Sequence, residues 1–175
     1  MLKSSVCKQE DMESPAFLEI ENALRTREWL QLYDDYYNNK VLFRWFKDKK
    51  YDASTIMHRK SWEFSYITLA LQERGMLREG KKGLGFAVGC EPLPAFFASK
   101  GCEILATDLR MDSEGAEVWA NTGQHAAGDM RKLNSLGLCP ADVFQKKVRY
   151  SDLDMNDIPE DLHGKFDFCW SSCAI

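Results

Sequence analysis

Residues 82–108 read KGLGFAVGCEPLPAFFASKGCEILATD, and this stretch decides the fold. The apolar run from Leu84 to Val88 gives way at once to Gly89, and a buried strand is expected over 83–87. Pro92 and Pro94 suit the opening of a helix, where a missing N–H costs nothing, and Gly101 suits its end. A second apolar run, 103–107, stops on Asp108. Strand, helix and strand in so few residues make a βαβ unit, whose strands are parallel and whose crossover is almost always right-handed. The class is therefore α/β.

Outwards from this unit, the sequence predicts a helix over 114–127 that contains Trp119, Thr122, Gln124 and His125, and a further helical piece over 140–147. A third strand is expected over 148–153. A loop with Asp154, Met155, Asn156, Asp157, Ile158 and Pro159 follows, and then FDFCW, 166–170, as a fourth strand. On the N-terminal side, Ser14 and Pro15 form a good helix start, since serine caps free amides and proline at the first position loses no bond. The helix is expected to run over 15–36, with Phe17, Ile20, Leu24, Trp29, Leu32 and Tyr36 as its packing stripe. VLFRWF, 41–46, reads as a helical turn or an amphipathic continuation, serving either the core or a lid. Ser54 or Thr55 caps another helix that ends at Gly75, with Trp62, Tyr66, Ile67, Ala70 and Leu71 towards the core. Near its start, His58, Arg59 and Lys60 form either a solvated polar face or an approach to an anionic group. The chain thus divides into an N-terminal helical extension, 1–75, and an α/β part, 76–175.

Composition narrows the function. At 175 residues and 45% hydrophobic, the chain can bury one ordinary core with a small appendage. A net charge of -4, from 23 basic and 27 acidic residues, gives no electrostatic case for nucleic acid or an anionic membrane as partner. No window approaches the roughly 18 apolar residues of a membrane helix, and the N-terminus lacks a signal-peptide core, so a cytoplasmic protein is expected. The six cysteines are dispersed and form no CxxC pair. No metal site is expected, and Cys169 and Cys173 read as small residues of a buried strand and its exit.

Gly89 lets the backbone approach a ligand at the carboxyl end of a strand, where open α/β sheets bind. Asp108, nineteen residues on at the end of the second strand, can accept both ribose hydroxyls of an adenosine, or else cap the helix after it. Asp154 can accept the exocyclic amine of adenine and Met155 can cover its ring; each can equally be an ordinary loop residue. Glu91, beside the turn, disfavours a pyrophosphate and tolerates an adenosyl group carrying a sulfonium and an ammonium. The same carboxylate would also suit the positive N-terminus of the next helix.

These motifs resemble the class I S-adenosylmethionine-dependent methyltransferases, and together with HRKSWEF they look closer still to an uncharacterised bacterial branch of that family. The resemblance covers roughly residues 75–175 and rests on GLGFAVGCEP, ATDL, DLDMNDIP and FDFCWSS in order. It implies a Rossmann-like parallel sheet with the first four strands in the order 3-2-1-4, S-adenosyl-L-methionine as cofactor, and methyl transfer to a small-molecule acceptor. Residue by residue, it places Gly89 against the methionine part, Leu109 beside Asp108 near the adenine, and Ser171 and Ser172 facing the methionine and the substrate. Ala87, Gly89, Glu91, Asp108, Leu109, Asp154, Met155 and Ser171 make the expected cofactor site. No catalytic base is assigned; His58 and His125 are the candidates worth testing.

Two departures from the family pattern carry consequences. The first motif usually has an acid in its strand and three glycines, whereas here Gly85 holds the strand position and the turn reads Ala87, Gly89, Glu91. Family domains also continue for three more strands, while this sequence stops at Ile175. The expectation is either a fragment whose apolar fourth strand is an edge open to self-association, or a chain in which a partner or the N-terminal helices cover that gap. The alternative to an enzyme is accordingly a non-catalytic remnant or interaction module with weak or no cofactor binding.

Overall fold

The computed structural model describes residues 7–29, 59–113, 125–126 and 129–172. A single turn, α1 (Gln9–Met12), precedes α2 (Pro15–Leu24) and α3 (Arg59–Glu73). The chain then runs through β1 (Lys82–Phe86), α4 (Leu93–Ser99), β2 (Glu103–Asp108), α5 (Ala141–Lys147), β3 (Val148–Asp152) and β4 (Phe168–Ser171). The four strands form one parallel sheet in the order β3-β2-β1-β4, with helices on both sides: an α/β Rossmann-like architecture with an N-terminal helical part. Two short 3-10 turns, Met130–Asn134 and Glu160–Leu162, join the elements and carry no apolar period that would have marked them.

Register explains the glycines of β1. Gly83 pairs with Phe168 and Gly85 with Trp170 on the neighbouring strand. A methyl group on Gly85 would lie 2.3 Å from the Trp170 ring, and one on Gly83 would lie 2.5 Å from the Phe168 ring. Only glycine leaves room for both aromatics against β1. Phe97 of α4 closes over them edge-on, at 5.9 Å from Phe168 and 5.2 Å from Trp170. On the same face, Ile104 and Ala106 of β2 and Val148 of β3 complete the buried layer.

The N-terminal helices belong to the same core. Ile20, Leu24, Trp29, Phe64 and Leu71 cluster with the residues above α4 and the sheet. Trp29 also donates from Nε1 to the Cys90 carbonyl at 2.8 Å. Ser14 caps α2 as expected, accepting from the Phe17 N–H at 3.4 Å. The expected helix is interrupted at Arg25, which turns left-handed at φ 51 with its guanidinium tied to the Leu136 carbonyl and to Glu28; residues 26–29 are helical again. Residues 30–58, with Leu32, Tyr36, the 41–46 segment and His58, lie outside the described residues, as does 114–124.

The inward face of α3 also differs from expectation. Its buried residues are Ser61, Phe64, Ser65, Thr68 and Leu71, and of the anticipated set only Leu71 is among them. Trp62 and Tyr66 stack on each other at 4.7 Å and Trp62 lies over Phe17 at 6.5 Å, so the large aromatics seal the α2–α3 seam at its rim. Small hydroxyl side chains occupy the inner positions and let the helix approach closely. Gly75 ends the helix at φ 64, with Met76 N–H closing back on the Leu71 carbonyl at 2.9 Å.

Candidate functional site

Asp108 ties together the carboxyl ends of three strands. Its Oδ2 accepts the Gly89 N–H from the turn after β1, and its Oδ1 accepts the N–H of Leu109, both at 2.9 Å. Its own carbonyl accepts the Leu153 N–H, past the end of β3, at 2.8 Å. Each carboxylate oxygen has a second lone pair, so two hydroxyl donors can still be received. Burial pushes the Asp108 carboxyl above its ordinary range, while His125 and the two amides pull it down.

The turn itself is built by left-handed backbone. Ala87 lies at φ 50 and Gly89 at φ 52. Ala87 therefore holds the conformation that a glycine would adopt without strain, and the departure from three glycines is one of residue type more than of backbone path. Two bonds weld the turn to β2: Val88 N–H to the Thr107 carbonyl at 3.1 Å, and Thr107 Oγ1 to the Gly85 carbonyl at 2.8 Å.

Glu91 does not face the mouth of this turn. It is 4% exposed, and its Oε1 accepts the Trp170 Nε1–H at 2.7 Å. Burial pushes its carboxyl up to about 8, against opposing pulls from the indole bond and Lys60. A carboxyl that is neutral at pH 7 and turned into the core gives no charge-based choice between a sulfonium and a pyrophosphate. That part of the sequence argument is corrected: Glu91 is the polar counterpart of Trp170, whose indole fits only because residue 85 is glycine.

The remaining expected residues are placed unequally. Asp154 is exposed, and its Oδ1 already accepts two bonds from Asn156, at 2.8 Å from the backbone N–H and 2.9 Å from Nδ2. Met155 is half-buried in the same loop. Ser171 lies at the end of β4, opposite Phe86, with a buried hydroxyl that makes no hydrogen bond. Ser172 is instead engaged with α3: its carbonyl and Oγ receive Lys60 Nζ at 3.2 and 3.1 Å, and its Oγ donates to Glu63 at 3.1 Å. Lys60 thus reaches the end of β4, where it binds Ser172 and lies 3.5 Å from the Glu63 carboxylate.

Beside Asp108 and Leu109 lies an open cleft of about 470 Å³ lined by Arg110, Met111, Asp112, His125, Tyr150, Ser151 and Asp152. None of the eight expected cofactor residues lines it; His125, one of the two histidines singled out as a candidate base, does. Tyr150 and Asp152 were missed by sequence reasoning. Their signal was available in strand alternation, because Tyr150 pairs with Ala106 and Asp152 with Asp108, which puts all three polar groups on one face. Arg110 and Asp112 at the rim bind each other, with Nε to Oδ1 at 2.8 Å. Cys90, in the first turn, is pushed up to about 11 by burial and stays a thiol at neutral pH.

Among the described residues no helix is long and apolar enough to cross a membrane, and no three histidine, cysteine or acidic side chains are grouped to hold a metal ion. No protein-family model matches the chain, and comparison with curated proteins and with solved structures returned no match.

Proposed function

We propose that this chain binds the adenosyl group of S-adenosyl-L-methionine and serves as an S-adenosylmethionine-dependent methyltransferase, or as the cofactor-binding part of one. The observation that carries the reading is the setting of Asp108. It is a carboxylate fixed by two backbone amides at the carboxyl edge of the sheet, beside a left-handed turn that brings backbone close and next to an open cleft. A pair of vicinal ribose hydroxyls fits its two remaining lone pairs. The preference for a nucleoside without a pyrophosphate rests on α4. Pro92 and Pro94 remove two N–H donors from its start, and the Glu91 N–H is spent on the Val88 carbonyl at 3.0 Å. A pyrophosphate would meet few of the amides on which it depends.

In this reading the turn of Ala87 and Gly89 receives the methionine part, Asp108 the ribose, and Leu109 with the neighbouring cleft the base. Ser171, whose hydroxyl lies at the junction of β1 and β4 where the strand order reverses, stands nearest the reacting end. When bound, the cofactor supplies an electrophilic methyl group, and the chain's contribution is to hold it in line with an acceptor of small-molecule size. Isothermal calorimetry with S-adenosylhomocysteine tests the reading, with NAD as the control ligand. Binding of the former and not the latter is expected, and weakening in Asp108→Asn. A folded wild-type chain that takes up neither ligand would favour an interaction module; uptake of NAD alone would favour an oxidoreductase.

A further inference from the structure

We propose that His125 is the positioning residue of this site: its Nε2–H holds the Leu109 carbonyl and so fixes Leu109, whose own N–H binds the Asp108 carboxylate. This inference rests on the nucleoside reading above. His125 is 3% exposed and lines the cleft. Its Nε2 lies 2.5 Å from the Leu109 carbonyl oxygen and 3.9 Å from Asp108 Oδ1. A carbonyl oxygen can only accept, so Nε2 carries a proton. The Leu109 peptide unit is then gripped at both ends, its N–H by Asp108 and the following carbonyl by His125.

Charged groups surround the ring. Asp108 of β2 and Asp152 of β3 bring negative charge to the same corner, and Tyr150 of β3 sets its ring edge-on to the imidazole at 6.4 Å. Opposing positive charge comes from Lys132 on the 3-10 turn, whose Nζ binds the His125 carbonyl at 3.3 Å, and from Arg110, which is itself paired with Asp112. Asp108 needs such help. Burial and Asp152 raise its carboxyl, and His125 is the first of the influences that lower it. A carboxylate that accepts two backbone amides and two ligand hydroxyls must be ionised to use all four positions.

Two variants test the contact. His125→Gln keeps an N–H for the Leu109 carbonyl, whereas His125→Phe has none. Long-range nitrogen NMR of the imidazole rings, assigned by single substitutions of the three histidines, reads the contact without any ligand. The ring is expected to carry a proton on Nε2, hydrogen-bonded to the Leu109 carbonyl; a ring protonated on Nδ1 alone overturns the inference. With S-adenosylhomocysteine, His125→Phe is expected to lose about tenfold in affinity at all pH values. His125→Gln, which keeps an N–H for the Leu109 carbonyl, should bind like wild type. A His125→Phe protein that binds as wild type also overturns it. A wild-type chain that binds no S-adenosylhomocysteine refutes the nucleoside reading, and the identity of the protonated ring nitrogen then decides the His125–Leu109 contact by itself.

Discussion

Replacing Glu91 by glutamine should make the protein more stable, and by an amount that depends on pH. The amide keeps an oxygen for the Trp170 Nε1–H, held at 2.7 Å in the native protein, and differs little in volume. What it removes is a titration. In the unfolded chain the carboxyl ionises near 4.5, and in the folded chain near 8, because it is buried. A folded-state value raised above the unfolded one favours the folded chain fully below pH 4.5, and the advantage is lost as pH rises to 8. At ~1.4 kcal/mol per tenfold change, the whole span is worth about 5 kcal/mol. That is a large share of the ~5–15 kcal/mol that holds a domain folded. Urea unfolding of wild type and Glu91→Gln at steps from pH 5 to pH 9 is the assay. The two proteins should be nearly equal at pH 5 and diverge steadily, with the variant about 5 kcal/mol ahead at pH 9. Asp108, Lys60 and Glu63, which also act on Glu91, remain in both proteins and largely cancel in the difference. Parallel curves would mean that the carboxyl is ionised in the folded protein, and the account of Glu91 as a neutral partner of Trp170 would fail.

Two further substitutions test the packing and the turn. Gly85→Ala places a methyl 2.3 Å from the Trp170 ring, so the indole must shift and its bond to Glu91 must break; a loss of about 3 kcal/mol or more in thermal or urea unfolding is expected, and a loss under ~0.5 kcal/mol would contradict the close approach. Ala87→Gly relieves a left-handed alanine at φ 50, worth about 1–2 kcal/mol, against ~0.4–1 kcal/mol for the looser unfolded chain. The variant should therefore match or exceed wild-type stability by about 0.5 kcal/mol, where an alanine-to-glycine change elsewhere in the sheet would cost stability; a clear loss would place Ala87 outside the left-handed region.

Much of the fold was legible because its signals are local. Apolar runs of strand length, prolines at a helix start and glycines at its end fixed β1, α4 and β2 to within a residue. The residue ending the second strand, Asp108, could be picked out as a candidate for the same reason, since a polar side chain closing an apolar run lies at the sheet edge by geometry alone. The unbroken helix expected over 15–36 is interrupted by a local feature of another kind. Arg25 adopts a left-handed conformation that no arginine announces, and it does so where its side chain meets Leu136, 111 residues away. The inward face of α3 was misjudged because hydrophobicity ranks Trp62 and Tyr66 above Ser61, Ser65 and Thr68, whereas close approach of two helices selects small side chains.

The amino-acid sequence by itself determined the class, the parallel βαβ unit, the Gly89 turn and the position of Asp108, all of which follow from the 2 and 3.6 residue periods and from the conformational limits of glycine and proline. Only the tertiary structure decided which way Glu91 points and what meets Asp108. Trp170 lies 79 residues beyond Glu91, and His125 lies 16 beyond Leu109. Contacts of that span are set by strand register and by how helices seat on the sheet, and a side chain one residue from a ligand turn can face outward or inward with no change in the local pattern. Trp170 of the paired strand fills the space beside Gly85, and its indole N–H meets the buried Glu91 carboxyl.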